Sequence, residues 1–266
     1  MYKTMDDATY KAMDTAMADK AAGHKISTAG LPAHCLDWLV SSRLNFINDM
    51  KSGKPLRYFS AHLPVMATWP NCSHDQNQAT SHDTNHGAGH NTSAGQSAPE
   101  FPVNMTVKGI GLIPKRGQLQ YYTDLFETVT ASSRTLPPGD SISQRVDAMA
   151  GLYLNPANFD ATVMGGLEIF GGKTLGNIYR NARTSLLYVG MEHCRGSMKY
   201  VSFQVNGEIT IIEKDDPYYR YLLASRKLFE YDRFHLYQPD YPYGYLIGVR
   251  EVMDKSPWSR QFKTNE

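Results

Sequence analysis

One turn of this chain is suited to holding an anion. At Gly171-Gly172-Lys173-Thr174 two residues without a Cβ allow close backbone approach, a lysine brings positive charge and a threonine adds a hydroxyl. Leu175, Ile178 and Tyr179 then recur on one face of a short helix. A turn feeding a helix N-terminus presents free N–H groups to phosphate-like oxygens. This is not the GxxxxGK(S/T) loop, because position 167 is Leu167 rather than glycine. A plain turn with a solvated lysine has the same local sequence, so the surrounding order must decide. Arg180 and Arg183 carry guanidinium forks that match phosphate. Ser202 and Gln204, two residues apart in a strand-like run, share one face.

Two stretches carry histidines. In 231–245 five tyrosines and His235 sit in a proline-punctuated loop that can cover a flat aromatic ligand, with His235 a candidate acid/base group or metal-centre ligand. Hydrogen-bonded structure is the plainer use of that histidine. In 71–99 hydrophobes almost vanish and His74, His82, His86 and His90 appear. His82, His86 and His90 are spaced by four, so on a helix they would stack and could bind a transition metal. Gly87 and Gly89 oppose that helix, and a polar flexible loop explains the same composition.

The elements that would position these residues follow from periodicity. Residues 31–50 read as a helix, with Pro32 at its start and Leu36, Leu39, Val40, Leu44 and Ile47 at helical spacing. Residues 105–113 and 118–130 are rich in β-branched and aromatic residues around Lys115-Arg116-Gly117 and read as a hairpin. Residues 142–153 fit a helix or a strand equally. Strands are expected over 161–170, 184–191, 200–212 and 245–253, and a helix from Asp216-Pro217 to about Glu230.

That order, strand, Gly-Lys-Thr, short helix, Asn-Ala-Arg, two strands, helix, strand, resembles the pyridoxamine 5′-phosphate oxidase-like family of FMN-binding split barrels. The resembling residues are GGKTLGNIYRNARTSLLYV from Gly171 and YVSFQVNGEITII from Tyr200. Asn177, Ile178, Asn181 and Arg183 fall in register with the family pattern. Lys173 stands one residue before the family's lysine, leaving Thr174 in its place, and Ala182 stands where proline is usual. Residues 140–255 are covered. The resemblance implies an α+β fold, an antiparallel split β-barrel of six or more strands with flanking helices and an N-terminal helical extension. It implies FMN as cofactor, held by Lys173, Thr174, Asn177, Arg183, Ser202 and Gln204, with His235 nearby. It also implies a homodimer with the site between protomers and a flavin-dependent oxidation or reduction of a small molecule.

Two alternatives stay open. Split barrels of the haem-utilisation type are similar too and carry a C-terminal haem-ligating histidine, for which His235 is the candidate. A non-enzymatic module binding metal through His82, His86 and His90 is the other. The expected organisation is an N-terminal helical arm and extension over 1–70, with 56–69 as extended chain, a His-rich flexible loop over 71–99 and the split-barrel domain over 100–266.

Composition narrows the partners. Lys plus Arg number 27 against 26 Asp plus Glu, a net charge of +1, which gives no electrostatic reason to expect nucleic acid or an anionic membrane. No run approaches the ~20 apolar residues of a membrane span. The three cysteines, Cys35, Cys72 and Cys194, are odd in number and lack metal spacing. With no apolar leader in the polar first 30 residues, a reducing, cytoplasmic setting is expected.

Overall fold

A computed structural model describes residues 30–54, 61–70, 101–194, 196–229 and 241–257. Helix α1 spans Ala33–Lys51. Strands β1 (Val65–Thr68), β2 (Asn104–Val107) and β3 (Ile110–Pro114) follow. Next come helices α2 (Arg116–Ser133) and α3 (Pro138–Tyr153) and strand β4 (Phe159–Glu168). Helix α4 (Lys173–Arg180), strands β5 (Arg183–Cys194) and β6 (Ser197–Ile212), helix α5 (Pro217–Lys227) and strand β7 (Tyr243–Asp254) complete the order.

The fold is α+β. Seven strands form one sheet in the order β2-β1-β5-β6-β7-β4-β3, every pair antiparallel. The two ends of that order, β2 and β3, are separated in sequence only by Lys108 and Gly109. Laid flat, seven strands would hold the outer two ~29 Å apart at ~4.8 Å per step. The three Cα steps from Val107 to Ile110 reach at most ~11 Å. The sheet is therefore rolled until its two edges meet in one bent strand. Beyond β1, Lys108 N–H donates to Pro64 O and Ile110 N–H to His62 O, which carries the β1–β2 pairing across the bend. Gly166 permits the closure: a Cβ there would stand 2.6 Å from Gly109 O.

Burial alternates along the long strands because side chains alternate. Leu186, Tyr188, Val205, Ile209, Ile247 and Val249 point inward and are buried. The helices form a packed row, α1 on α3, α3 on α2 and α2 on α5. Asp216 caps α5 by accepting from Tyr218 N–H at 2.7 Å, and Pro217 occupies its first turn.

One expectation fails. Residues 118–130 are not a strand of a hairpin but the body of α2. Leu119, Tyr122, Thr123, Phe126 and Thr130 are among its buried residues. Their spacing is helical, and the helical stripe outweighs the β-branched content. Residues 142–153, left between helix and strand, lie in α3. The stretch expected as an N-terminal arm and extension supplies β1, which sits inside the sheet between β2 and β5.

Candidate functional site

The outward face of β2, β1, β5 and β6 is where the strand-borne candidates fall. In the β5–β6 register, Arg183 lies opposite Glu208, Ser185 opposite Asn206, Leu187 opposite Gln204, Val189 opposite Ser202 and Met191 opposite Tyr200. Directly opposite residues share a face. Arg183, Ser202 and Gln204 therefore project from one side of the sheet, away from Leu186, Tyr188, Val201, Phe203 and Val205. Val65 and Ala67 of β1, and Val107 and Met105 of β2, extend that side. Met105, Val107, Val189, Met191 and Tyr200 are each more than half exposed. A contiguous apolar face of this kind on a single chain marks an interaction surface.

Its centre is polar but uncharged. Ser185 Oγ donates to Asn206 Oδ1 at 2.7 Å, and Gln204 Nε2 donates to the same oxygen at 3.0 Å. Asn206 Nδ2 in turn donates to Glu251 on β7 at 2.7 Å. Gln204 keeps its own carbonyl oxygen for another donor. Ser202 is fixed through its backbone, its N–H donating to Ser256 Oγ at 3.1 Å and its carbonyl accepting from Lys255 N–H.

Helix α4 is held at the Asn104 and Thr68 ends of β2 and β1, by residues that alternate with the outward ones. Thr174 and Asn177 are both buried. Thr174 Oγ1 accepts from Asn104 Nδ2 of β2 at 2.9 Å, and Asn177 Nδ2 donates to the Thr68 carbonyl of β1 at 3.2 Å. Their polar groups tie the helix to the strands rather than face solvent, so their place in the site is positioning. Lys173 is exposed and begins the helix, while Gly172 at the N-cap brings no side chain to cap it. Among the described residues no N-cap side chain accepts from the first-turn N–H groups. Arg183, just beyond the helix, is exposed too. Neither Lys173 nor Arg183 forms an ion pair among the described residues.

The turn before α4 rests on a buried ion pair that sequence reading did not find. Lys108, at the bend between β2 and β3, places Nζ 2.9 Å from both carboxylate oxygens of Glu168, the last residue of β4. Glu168 is 1% exposed and Lys108 8%. Glu168 Oε1 also accepts the N–H groups of Phe170 and Gly171, each at 3.2 Å. Those two donors are thereby removed from any anion-binding role. Gly171 adopts φ 53°, a left-handed value that favours glycine. The partners are sixty positions apart, and no local pattern joins them.

Burial sets the protonation behaviour of the interior. Cys35 is held up to about 12 by burial and then by the Asp254 carboxylate. Burial also raises Tyr188, Tyr221 and Tyr245 well above the ordinary phenol value. Such groups are inert at neutral pH. His82, His86 and His90, and likewise His235, lie outside the described residues.

No family model matches the chain. No curated protein matches it either. Among solved structures it is similar to HupZ of Group A Streptococcus, at 12% identity and a TM-score of 0.35 over 74% of this chain and 86% of that one. A histidine-to-alanine variant of HupZ matches at 12% identity and a TM-score of 0.33, over 73% and 91%. An FMN-binding protein from Syntrophomonas wolfei subsp. wolfei matches at 8% identity and a TM-score of 0.37, over 82% and 87%. Likenesses this distant carry no argument about what the chain binds. Among the described residues no helix is long and apolar enough to cross a membrane.

Proposed function

We propose that the rolled sheet is a split barrel that binds FMN on its outward face, and that two copies meet there to form an oxidoreductase acting on a small molecule. The observation that supports this reading is the coincidence on one face of Arg183, Ser202 and Gln204, with α4, which begins at Lys173, tied to Asn104 and Thr68 at the adjoining strand ends. A phosphate monoester needs cations and N–H donors, and the first turn of α4 with Lys173 and Arg183 offers both. An isoalloxazine needs neutral hydrogen-bonding groups set in an apolar surface, which Ser202 and Gln204 beside Leu187 and Val189 offer. Thr174 and Asn177 act through their hold on α4. When bound, the flavin supplies the electron or hydride chemistry. The chain's part is to bind, orient and shield it.

The exposed Met105, Val107, Val189 and Met191 give the partner copy something to cover. Burying such side chains contributes roughly 1.5 to 3 kcal/mol each. Val189→Asp should therefore convert a dimer to a monomer in sedimentation velocity.

The central test is an FMN titration followed by the visible flavin bands. Saturable binding is expected, weakened about tenfold by Arg183→Ala, the scale of one charge-assisted contact. A chain that stays colourless with excess FMN, or binds it equally well without Arg183, sinks the reading. The haem and metal alternatives rest on His235 and on His82, His86 and His90, and no described residue favours them.

A further inference from the structure

Glu251 reaches the outward face only because β7 carries an extra residue. Asn206 and Gly207 are neighbours on β6, but their partners on β7 are Glu251 and Val249. Arg250, between those partners, is the residue of a bulge. Tyr245, Ile247 and Val249 alternate inward and are fully buried. Continued without the bulge, that alternation would turn position 251 inward as well. The extra residue reverses it, so Glu251 stands outward opposite Asn206, and Val252 takes the inward place opposite Val205. Gly207 gives the irregularity room: a Cβ there would stand 2.7 Å from Ile247 Cγ2 and 2.8 Å from Gly248 O.

The carboxylate sets the direction of a chain of hydrogen bonds. A carboxylate only accepts. Asn206 must therefore offer it Nδ2, 2.7 Å away, which turns Oδ1 toward Ser185 and Gln204. That oxygen accepts from Ser185 Oγ at 2.7 Å and from Gln204 Nε2 at 3.0 Å, so both of its lone pairs are used. Gln204 spends an N–H on Asn206, and its Oε1 is left facing elsewhere. The reverse arrangement would set the Asn206 oxygen against the Glu251 carboxylate and its nitrogen against the Gln204 nitrogen, two repulsions at hydrogen-bond distance.

Among the described residues Gln204 Oε1 accepts from nothing. It does not belong to the atoms buried without a partner, so it is open on the outward face. An occupant that displaces water from this face must supply a donor there, because an acceptor left dry and unpaired is costly. The same drying strengthens the charge-assisted bond at the Glu251 end.

We infer that Glu251 is a positioning residue. Acting through Asn206, it holds Gln204 with its carbonyl oxygen toward the occupant and so selects a flat ring whose edge carries an imide or lactam N–H over one that presents only acceptors. This rests on the reading of the face as a flavin site, since an isoalloxazine carries one imide N–H on its pyrimidine edge.

FMN and 3-methyl-FMN, in which a methyl group replaces the imide hydrogen, are the probes. Each is titrated into the full chain and followed by flavin absorbance and fluorescence. FMN is expected to bind about tenfold more tightly, the scale of one hydrogen bond lost with its acceptor left dry. The bulk of the methyl group also weakens binding, so the decisive quantity is the ratio of the two affinities across variants. Glu251→Gln can donate as well as accept, which lets Asn206 and Gln204 turn over, and the ratio should fall about threefold or more. A carboxylate acting only through its charge would change both affinities together and leave the ratio alone. Asn206→Ala should lower the ratio as far, and adding Glu251→Gln to it should lower it no further, because the carboxylate acts only through the amide. FMN binding with a ratio near one in the parent chain, with an unchanged ratio in Glu251→Gln, or with a further fall in the double variant overturns this inference alone. A chain that binds neither flavin sinks the flavin reading, and this inference with it.

Discussion

Replacing Lys108 by methionine tests the link between the rolled sheet and the turn that precedes α4. The lysine Nζ sits 2.9 Å from both oxygens of Glu168, and both residues are buried. Methionine fills much of the same volume but leaves the Glu168 carboxylate inside without a counter-charge. Breaking one side of a buried pair costs about 3 to 5 kcal/mol. Against a whole-domain stability of about 5 to 15 kcal/mol, that is a third or more. Thermal unfolding of a chain this size should fall by roughly 10 °C. Glu168→Gln removes the charge but keeps an oxygen for the N–H groups of Phe170 and Gly171. The double variant Lys108→Met with Glu168→Gln should therefore recover at least half of the loss. Thermal and urea unfolding followed by far-UV circular dichroism measure all three chains. Raising salt from about 0.05 to about 0.5 M shortens the Debye length roughly threefold, yet should change the loss little because the pair is shielded from solvent. A single variant within about 1 kcal/mol of the parent, or a double variant no better than the single one, would refute the account.

Three further outcomes follow from the interior. Phe126 is fully buried in α2, its ring 6.1 Å from that of Tyr221 on α5, so Phe126→Ala should cost about 3 to 5 kcal/mol in urea unfolding. A loss near zero would mean that α2 does not pack against α5. Cys35 should resist a thiol reagent at pH 8 in the native chain and react once urea unfolds it, because burial holds it near 12 against an ordinary 9.0. The unfolded chain loses that proton above pH 9 while the folded chain keeps it to about 12. The raised value thus favours folding less as pH climbs through that window, and Tyr188, Tyr221 and Tyr245 shift in the same direction. The urea midpoint should drop between pH 8 and pH 10.5, and a flat profile would contradict the burial of these groups.

Local chemistry made some of this architecture readable. Pro32 before α1 and Asp216-Pro217 before α5 mark helix starts by what proline and aspartate do to a first turn. The glycine pair ahead of Lys173 marks the start of α4. The alternation in β6 gives Ser202 and Gln204 a common face before any coordinates exist. The helix α2 was hidden because Tyr121, Tyr122, Thr123, Thr128 and Thr130 favour strands, while its helical stripe is set by what packs against it. The Lys108–Glu168 pair is a product of closure, which brings distant segments together. Nothing in a local window encodes it.

The outward face of β5 and β6 departs from what either water or a core would select. A solvated antiparallel face carries charged residues in alternation with the buried ones. Here Ser185, Asn206, Gln204 and Ser202 form a neutral polar strip, and Leu187, Val189 and Met191 run along it. Formal charge stands at the margins, at Arg183, at the Arg250–Glu208 ion pair and at Glu251 of β7. A core would have excluded the amides, because buried polar groups must be paired. Neutral hydrogen-bonding groups set in exposed apolar surface suit an occupant that combines both characters and displaces water from both. The flat heteroaromatic ring and second copy of the chain proposed above have that character, and the proposal places an anionic tail where the charges stand, at the edge.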